Sequence, residues 1–172
     1  MNTSTTVLLL MGSDSDWEVM SEASRILQQF SVAHETRVTS AHRTPERTVA
    51  LVREAEAQGV QVIIAGAGAA AHLAGVVAAH TTLPVIGVPL NATPLQGMDA
   101  LLATVQMPAG IPVATVSIGK AGAANAALLA VQIIALADEG LADALKNYRR
   151  QMVEKVEAKD ARLQQKREHP ES

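Results

Sequence analysis

The chain is predicted to be an α/β protein: a three-layer α/β/α sandwich with a parallel, flavodoxin-like doubly wound sheet, plus a long C-terminal helix. Three observations predict it. Five short strand-like runs alternate with helical segments, and such alternation implies right-handed βαβ crossovers and a parallel sheet. The best of these runs, VLLLM at 7–11 and VQVIIA at 60–65, are nearly continuous in apolar residues, as strands covered on both faces must be. Near the C-terminus, Leu141, Leu145, Tyr148, Met152 and Val156 recur at spacings of four and three, which is helical.

Taken in order, Val7–Met11 is a first strand that ends in a Gly/Ser/Asp cluster. Asp16–Phe30 reads as a helix with Val19, Ala23, Ile26, Leu27 and Phe30 on one face, and Glu35–Thr39 as a second strand. Thr44 is expected to cap the next helix, with Pro45 at its first position and Glu46 in the first turn, where the helix dipole favours an acid. That helix runs to about Gln58 and stops at Gly59. Val60–Ala65 is the third strand, leading through Gly66-Ala67-Gly68 into a small-residue helix from about Ala69 to Ala79. Pro84–Val88 and Val113–Ser117 are the fourth and fifth strands, with a helix near Met98–Thr104 between them. Beyond Glu157 the apolar stripe of the last helix fades, so the tail either packs on a neighbouring subunit or frays. The whole reads as one domain, 1–172, with a core at about 6–140 and the C-terminal helix and tail at about 141–172, without linker or internal repeat.

Composition narrows the functions available. With 172 residues the chain is long enough to bury ~70% of its unfolded surface as one domain. Aromatic residues make up only 2% of it, which removes stacking platforms for bases or flavins. A net charge of -3, with no block of Lys and Arg before the tail, argues against nucleic-acid binding. The absence of cysteine excludes disulfides, thiolate nucleophiles and Cys-ligated metals together. Met1–Thr6 is short and polar, unlike a signal peptide, so a cytoplasmic protein is expected. Between Gln61 and Ala137 the only charged side chains are Asp99 and Lys120. A monomer needs a polar skin over nearly every element, so this uncharged middle implies surface buried against other copies of the chain. Ala121–Ala137 is apolar but falls short of the ~20 residues that a bilayer span requires. It is read as a core or interface helix, and no membrane partner is expected.

In a doubly wound sheet the ligand sits beyond the carboxyl ends of the strands, where strand order reverses. Three strand-end loops therefore matter. Gly12-Ser13-Asp14-Ser15-Asp16 brings hydroxyls and free N–H groups to a helix N-terminus, a setting for phosphate, while its aspartates suit ribose hydroxyls or capping. Ser40-Ala41-His42-Arg43-Thr44 sets an imidazole, able to exchange protons near neutral pH, beside a guanidinium that can grip an oxyanion with two hydrogen bonds. Gly66-Ala67-Gly68-Ala69-Ala70-Ala71-His72 has glycines where a ligand can press on the backbone. It matches the dinucleotide fingerprint only superficially: it follows the third strand, and no acid lies ~20 residues on, where ribose would need one. His72 either reaches the ligand or caps its turn. His34 and His80 read as strand and helix-end residues, and His169 lies in the tail. Carboxylates and histidines do not cluster at metal-ligand spacing, so no metal is expected. Neither a Walker A loop around Lys120 nor a G-x-S-x-G elbow is present.

Together, MGSDSDW (11–17), SAHRTP (40–45), AGAGAAAHLAG (65–75) and QMPAGIPVATVSIGKAGAANAALLA (106–130) resemble the PurE family, in order and in spacing. The similarity extends over about Thr6–Tyr148 and is to the class I members, the N5-carboxyaminoimidazole ribonucleotide mutases of de novo purine synthesis. Class II enzymes, which carboxylate aminoimidazole ribonucleotide with CO2, are less similar, with a lysine where this chain has Arg43. The resemblance implies a cofactor-free isomerase that moves a carboxylate from N5 to C4, assembled as a homo-octamer. It implies His42 as general acid/base and Ser13, Asp16 and Arg43 as substrate-binding residues. Ser15 and Ser40 would assist at the phosphate, and Asp16 would take the ribose hydroxyls. Gly66, Ala67 and Gly68 through His72 would form a loop over the base, with Leu73 at its end. Departures are Ala69, where the family has a second glycine, and Ala74, where it has proline. The rival readings are a class II carboxylase, a noncatalytic flavodoxin-like mononucleotide-binding module, and an assembly protein whose alanine-rich surfaces are its purpose.

Overall fold

The computed structural model describes residues 5–168; Met1–Ser4 of the N-terminal segment and His169 lie outside the described residues. The elements are β1 (Val7–Met11), a 3₁₀ turn (Asp14–Asp16), α1 (Trp17–Gln29), β2 (His34–Val38), α2 (Pro45–Ala57), β3 (Val62–Gly68), α3 (Leu73–Ala78), β4 (Val85–Leu90), α4 (Met98–Val105), β5 (Ala114–Thr115), α5 (Gly119–Ile134) and α6 (Glu139–Glu168). The five strands form one sheet in the order β2-β1-β3-β4-β5, every pair parallel. This is the doubly wound, flavodoxin-like arrangement that the alternating pattern predicts. The chain turns to opposite sides of β1 after its first two crossovers, so the switch point lies between β1 and β3, where Met11 is in register with Gly66.

Burial explains why these runs became strands. All five residues of β1 are buried, as are all six of β4. On one face Leu8, Leu10, Ile63 and Ala65 pack with Val52 and Ala55 of α2 and Leu73 and Val77 of α3. On the other, the side chain of Met20 from α1 fills the space where Gly66 has no Cβ. Each fully buried aliphatic side chain stabilises the fold by roughly 1.5–3 kcal/mol relative to exposure. In α5 the alanines 123, 126, 127 and 130 are fully buried while Asn125 and Gln132 are exposed, and Leu128 and Leu129 are only half-buried.

The structure corrects several boundaries. β3 runs on through Gly66-Ala67-Gly68, because its ladder with β4 continues to the pair Gly68–Leu90. Ala69 then adopts a left-handed conformation (φ 53°), which delays α3 to Leu73. The Thr44 side chain makes no capping hydrogen bond to α2; it turns back to Ser40 instead. β5 shrinks to two residues, since it is an edge strand paired with β4 alone.

The chain divides into two compact units, Met1–Ile133 and Ile134–Ser172. The first holds the sheet and α1–α4 with nearly all of α5. The second is dominated by α6, unbroken past Glu157 to Glu168, with Lys166 and Arg167 in its last turn where cations complement the dipole. No helix among the described residues is long and apolar enough to cross a membrane.

Candidate active site

The loop after β1 is ordered by its own side chains. Ser13 caps the 3₁₀ turn by accepting from the Ser15 N–H (3.3 Å), and Asp16 Oδ2 accepts from the Ser13 N–H (2.9 Å), a reciprocal capping box. Asp14 Oδ1 accepts from the Ser15 N–H (3.0 Å) and the Ser13 hydroxyl (3.1 Å), and the Ser15 hydroxyl donates to Ser13 Oγ (2.9 Å). Two of the N–H groups expected to be free at this helix start are therefore occupied, and hydroxyls are left as the loop's adaptable donors. Burial pushes the Asp16 carboxyl above its ordinary value. Hydrogen bonds from the Ser13 and Gly12 backbone oppose that shift, and the nearby Asp14 charge adds to it.

The loop after β2 is a closed turn. The Thr44 N–H donates to Ser40 O (2.9 Å), the Ser40 N–H to Thr44 Oγ1 (3.0 Å), and the Arg43 N–H to Ser40 Oγ (3.2 Å). His42 stands between these anchors, and its exposed ring points away from the core. Its Nε2 lies 2.8 Å from Nδ1 of His72, the two rings meeting edge to face with centroids 4.9 Å apart. One nitrogen of this pair must donate and the other accept, so a single proton bridges two imidazoles. His72 makes no capping bond at the start of α3; its partner is His42.

A cavity of about 240 Å³ opens at the carboxyl ends of β1, β2 and β3. Ser13, Ser15, Asp16, Ser40, His42 and Arg43 line it, as do Ala67, Gly68 and Leu73. Two of the residues predicted from sequence are not on its wall: Gly66 is buried within β3, and His72, though exposed, meets the cavity only through its contact with His42. Gly12, Ala41, Ala69, Ala70 and Ala92 complete the lining. Of these, Ala92 follows β4, in a fourth strand-end loop, Asn91–Gly97, that carries no titratable side chain. A Cβ on Gly68 would stand only 2.5 Å from the Ala92 Cβ, so the glycine lets that loop approach. A shallower cleft of about 460 Å³ adjoins the cavity, sharing Ser13, Ser40 and Arg43 with it and adding Arg47 and Asp14.

Chemically the cavity has three parts. The imidazole pair can give and take a proton. Arg43 with the serine hydroxyls can hold an oxyanion, and Asp16 can accept from substrate hydroxyls. The Ala67–Ala70 stretch offers backbone and methyl surface to a small apolar species. Among the described residues no three His, Asp or Glu side chains converge as metal ligands would. The family model described as AIR carboxylase matches residues 6–155, nearly the whole chain.

The chain belongs to the AIR carboxylase family.

Its family relatives include proteins named N5-carboxyaminoimidazole ribonucleotide mutase from Bacillus subtilis, 57% identical across 82% of this chain and 87% of that one, and from Brucella melitensis, 54% identical across 87% and 93%. A solved member of the AIR carboxylase fold, Treponema denticola PurE, superposes with a TM-score of 0.84 at 32% identity, covering 92% of this chain and 98% of that one.

Proposed function

We infer that this chain is an N5-carboxyaminoimidazole ribonucleotide mutase, acting in de novo purine biosynthesis. The observation that carries the reading is a pair of exposed imidazoles 2.8 Å apart, of which His42 lines a hydroxyl- and backbone-lined cavity at the sheet's switch point. Identity above 50% to several mutases, across most of both chains, supports the reaction class.

The reaction balances with one proton carrier. His42 donates a proton to N5 as the N5–carboxylate bond breaks, which releases CO2 and leaves an electron-rich aminoimidazole. C4 then attacks the CO2 carbon, and the now neutral His42 takes the C4 proton, restoring aromaticity and its own charge. His72 holds the tautomer and tilt of His42 through these steps. Ser13, Ser15, Ser40 and Arg43 bind the phosphate, and Asp16 accepts from the ribose hydroxyls. The stretch Ala67–Ala70, with Leu73, covers the base and confines CO2 beside C4. Confinement is the main catalytic contribution, since CO2 held in contact reacts at an effective concentration that solution cannot supply. The enzyme works in the cytoplasm, as a homo-octamer without a cofactor.

The test is product formation from N5-carboxyaminoimidazole ribonucleotide without ATP or metal, beside aminoimidazole ribonucleotide with bicarbonate. Rapid conversion of the first and little of the second is expected. The reverse pattern means a direct carboxylase, and silence in both means a noncatalytic binding module. His42→Asn should retain fold and ribonucleotide binding while turnover falls by at least about a hundredfold.

A further inference from the structure

Below the His42 turn lies a chain of threonine hydroxyls; none lines the cavity, and Thr39 and Thr44 border the adjoining cleft. Thr39, just beyond β2, and Thr48, in the first turns of α2, are 2% and 0% exposed, and their Oγ1 atoms are 2.8 Å apart. Thr48 donates its hydroxyl proton to Thr44 O (3.2 Å), and Thr44 donates its own to Ser40 O (3.1 Å). Each hydroxyl has one proton. With those two committed to carbonyls, Thr39 is the donor between them, chiefly to Thr48 and more weakly to Thr44 Oγ1 at 3.3 Å. The chain thus has a direction, and it ends on Ser40 and Thr44, the residues that close the turn around His42.

We propose that the buried Thr39–Thr48 pair positions His42 for catalysis, with Thr48 as its keystone. Thr48 lines neither the cavity nor the adjoining cleft, so it cannot act on substrate directly. Its hydroxyl joins the floor of the turn to α2. Without it the Thr44 carbonyl loses a donor, and Thr39 keeps only its long contact with Thr44. The Thr48 N–H still donates to Thr44 O (3.1 Å), but the side-chain tie from α2 to Thr39 beneath the turn is gone, and the imidazole above it samples more orientations relative to N5 and C4. A misplacement of about 1 Å in a catalytic group can cost on the order of a hundredfold in rate.

The proposal rests on His42 as the general acid/base, and its test separates the two claims. Wild type, His42→Asn, Thr48→Val, Thr48→Ser and the double variant Thr39→Val/Thr48→Val are assayed for kcat, KM and melting temperature. Thr48→Val keeps the side-chain shape and removes the hydroxyl; kcat is expected to fall about tenfold, with KM within about twofold of wild type. Thr48→Ser restores kcat. The double variant removes both partners of a buried hydrogen bond, a change that is nearly neutral for stability. It should recover melting temperature without recovering kcat, an outcome that a merely structural role would not produce. Should Thr48→Val fail to fold, the serine and double variants carry the comparison. Wild-type kcat in Thr48→Val, or kcat returning with melting temperature in the double variant, overturns the proposal while leaving the mutase reading intact. An inactive wild type, or a fully active His42→Asn, overturns both.

Discussion

Burial works against both roles of the Asp16 carboxylate. The carboxylate closes the capping box by accepting from Ser13, and in the reaction proposed above it accepts from the ribose hydroxyls, yet partial burial raises its pKa above the ordinary 3.8. The sign of the pH effect follows. Between 3.8 and the raised folded value the native chain binds more protons than the unfolded one, so this group's contribution to stability declines as pH rises through that window and is constant above it. Function runs the other way. Once protonated, Asp16 is a poorer acceptor, so KM for the ribonucleotide should rise on acidification at a higher pH than for an ordinary aspartate. Asp16→Asn should raise KM at neutral pH by roughly tenfold and flatten that acid limb, since one charge-assisted hydrogen bond is worth about 1.5–3 kcal/mol. Steady-state KM across the acid range checks both, and an unchanged KM in the variant removes Asp16 from the ribose contact.

At the level of elements, close backbone approach limits what α5 tolerates. A Cβ on Gly122 would be driven into the carbonyl oxygen of Ser117, a backbone atom unable to swing aside. Gly122→Ala should destabilise the fold by about 3 kcal/mol, read as a lowered urea midpoint, and wild-type stability would show that the loop before α5 yields more easily than its geometry implies. The same dependence on small residues explains where sequence reasoning reaches its limit. β1 and β4 are legible because apolar side chains mark them. The end of β3 is not: Gly66-Ala67-Gly68 reads as a loop, and only the ladder to Leu90 makes it strand. Thr44 occupies the expected N-cap position, but its hydroxyl has a better geometry toward Ser40. The strand-end loops announce Ser13, Asp16, His42 and Arg43 by residue type. The contact between His42 and His72 spans thirty positions in sequence, and only the pairing of β2 and β3 on either side of β1 brings those loops together.

For the whole molecule, the stretch with two charges in 77 residues, Gln61–Ala137, requires cover. Met98, Leu102 and Val105 form an exposed apolar stripe along α4, with Leu95 in the loop before it and Leu102 51% exposed. An exposed apolar stripe of this kind marks a protein contact. The stripe calls for more than one copy; for the homo-octamer proposed above, sedimentation should give one species at eight times the 18.0 kDa chain, and Leu102→Glu should shift it to smaller forms. A single species at chain mass would refute assembly. The strand order has a further consequence, for synthesis. β1 is wholly apolar and central in the sheet, but its partners are made later: β2 begins at residue 34 and β3 at residue 62. At ribosomal speeds of roughly 5–20 residues per second, the nascent VLLLM segment spends several seconds without the strand that completes its cover. The most buried strand of the finished enzyme is thus its most adhesive segment at birth, and chaperone demand should be concentrated in the first third of translation.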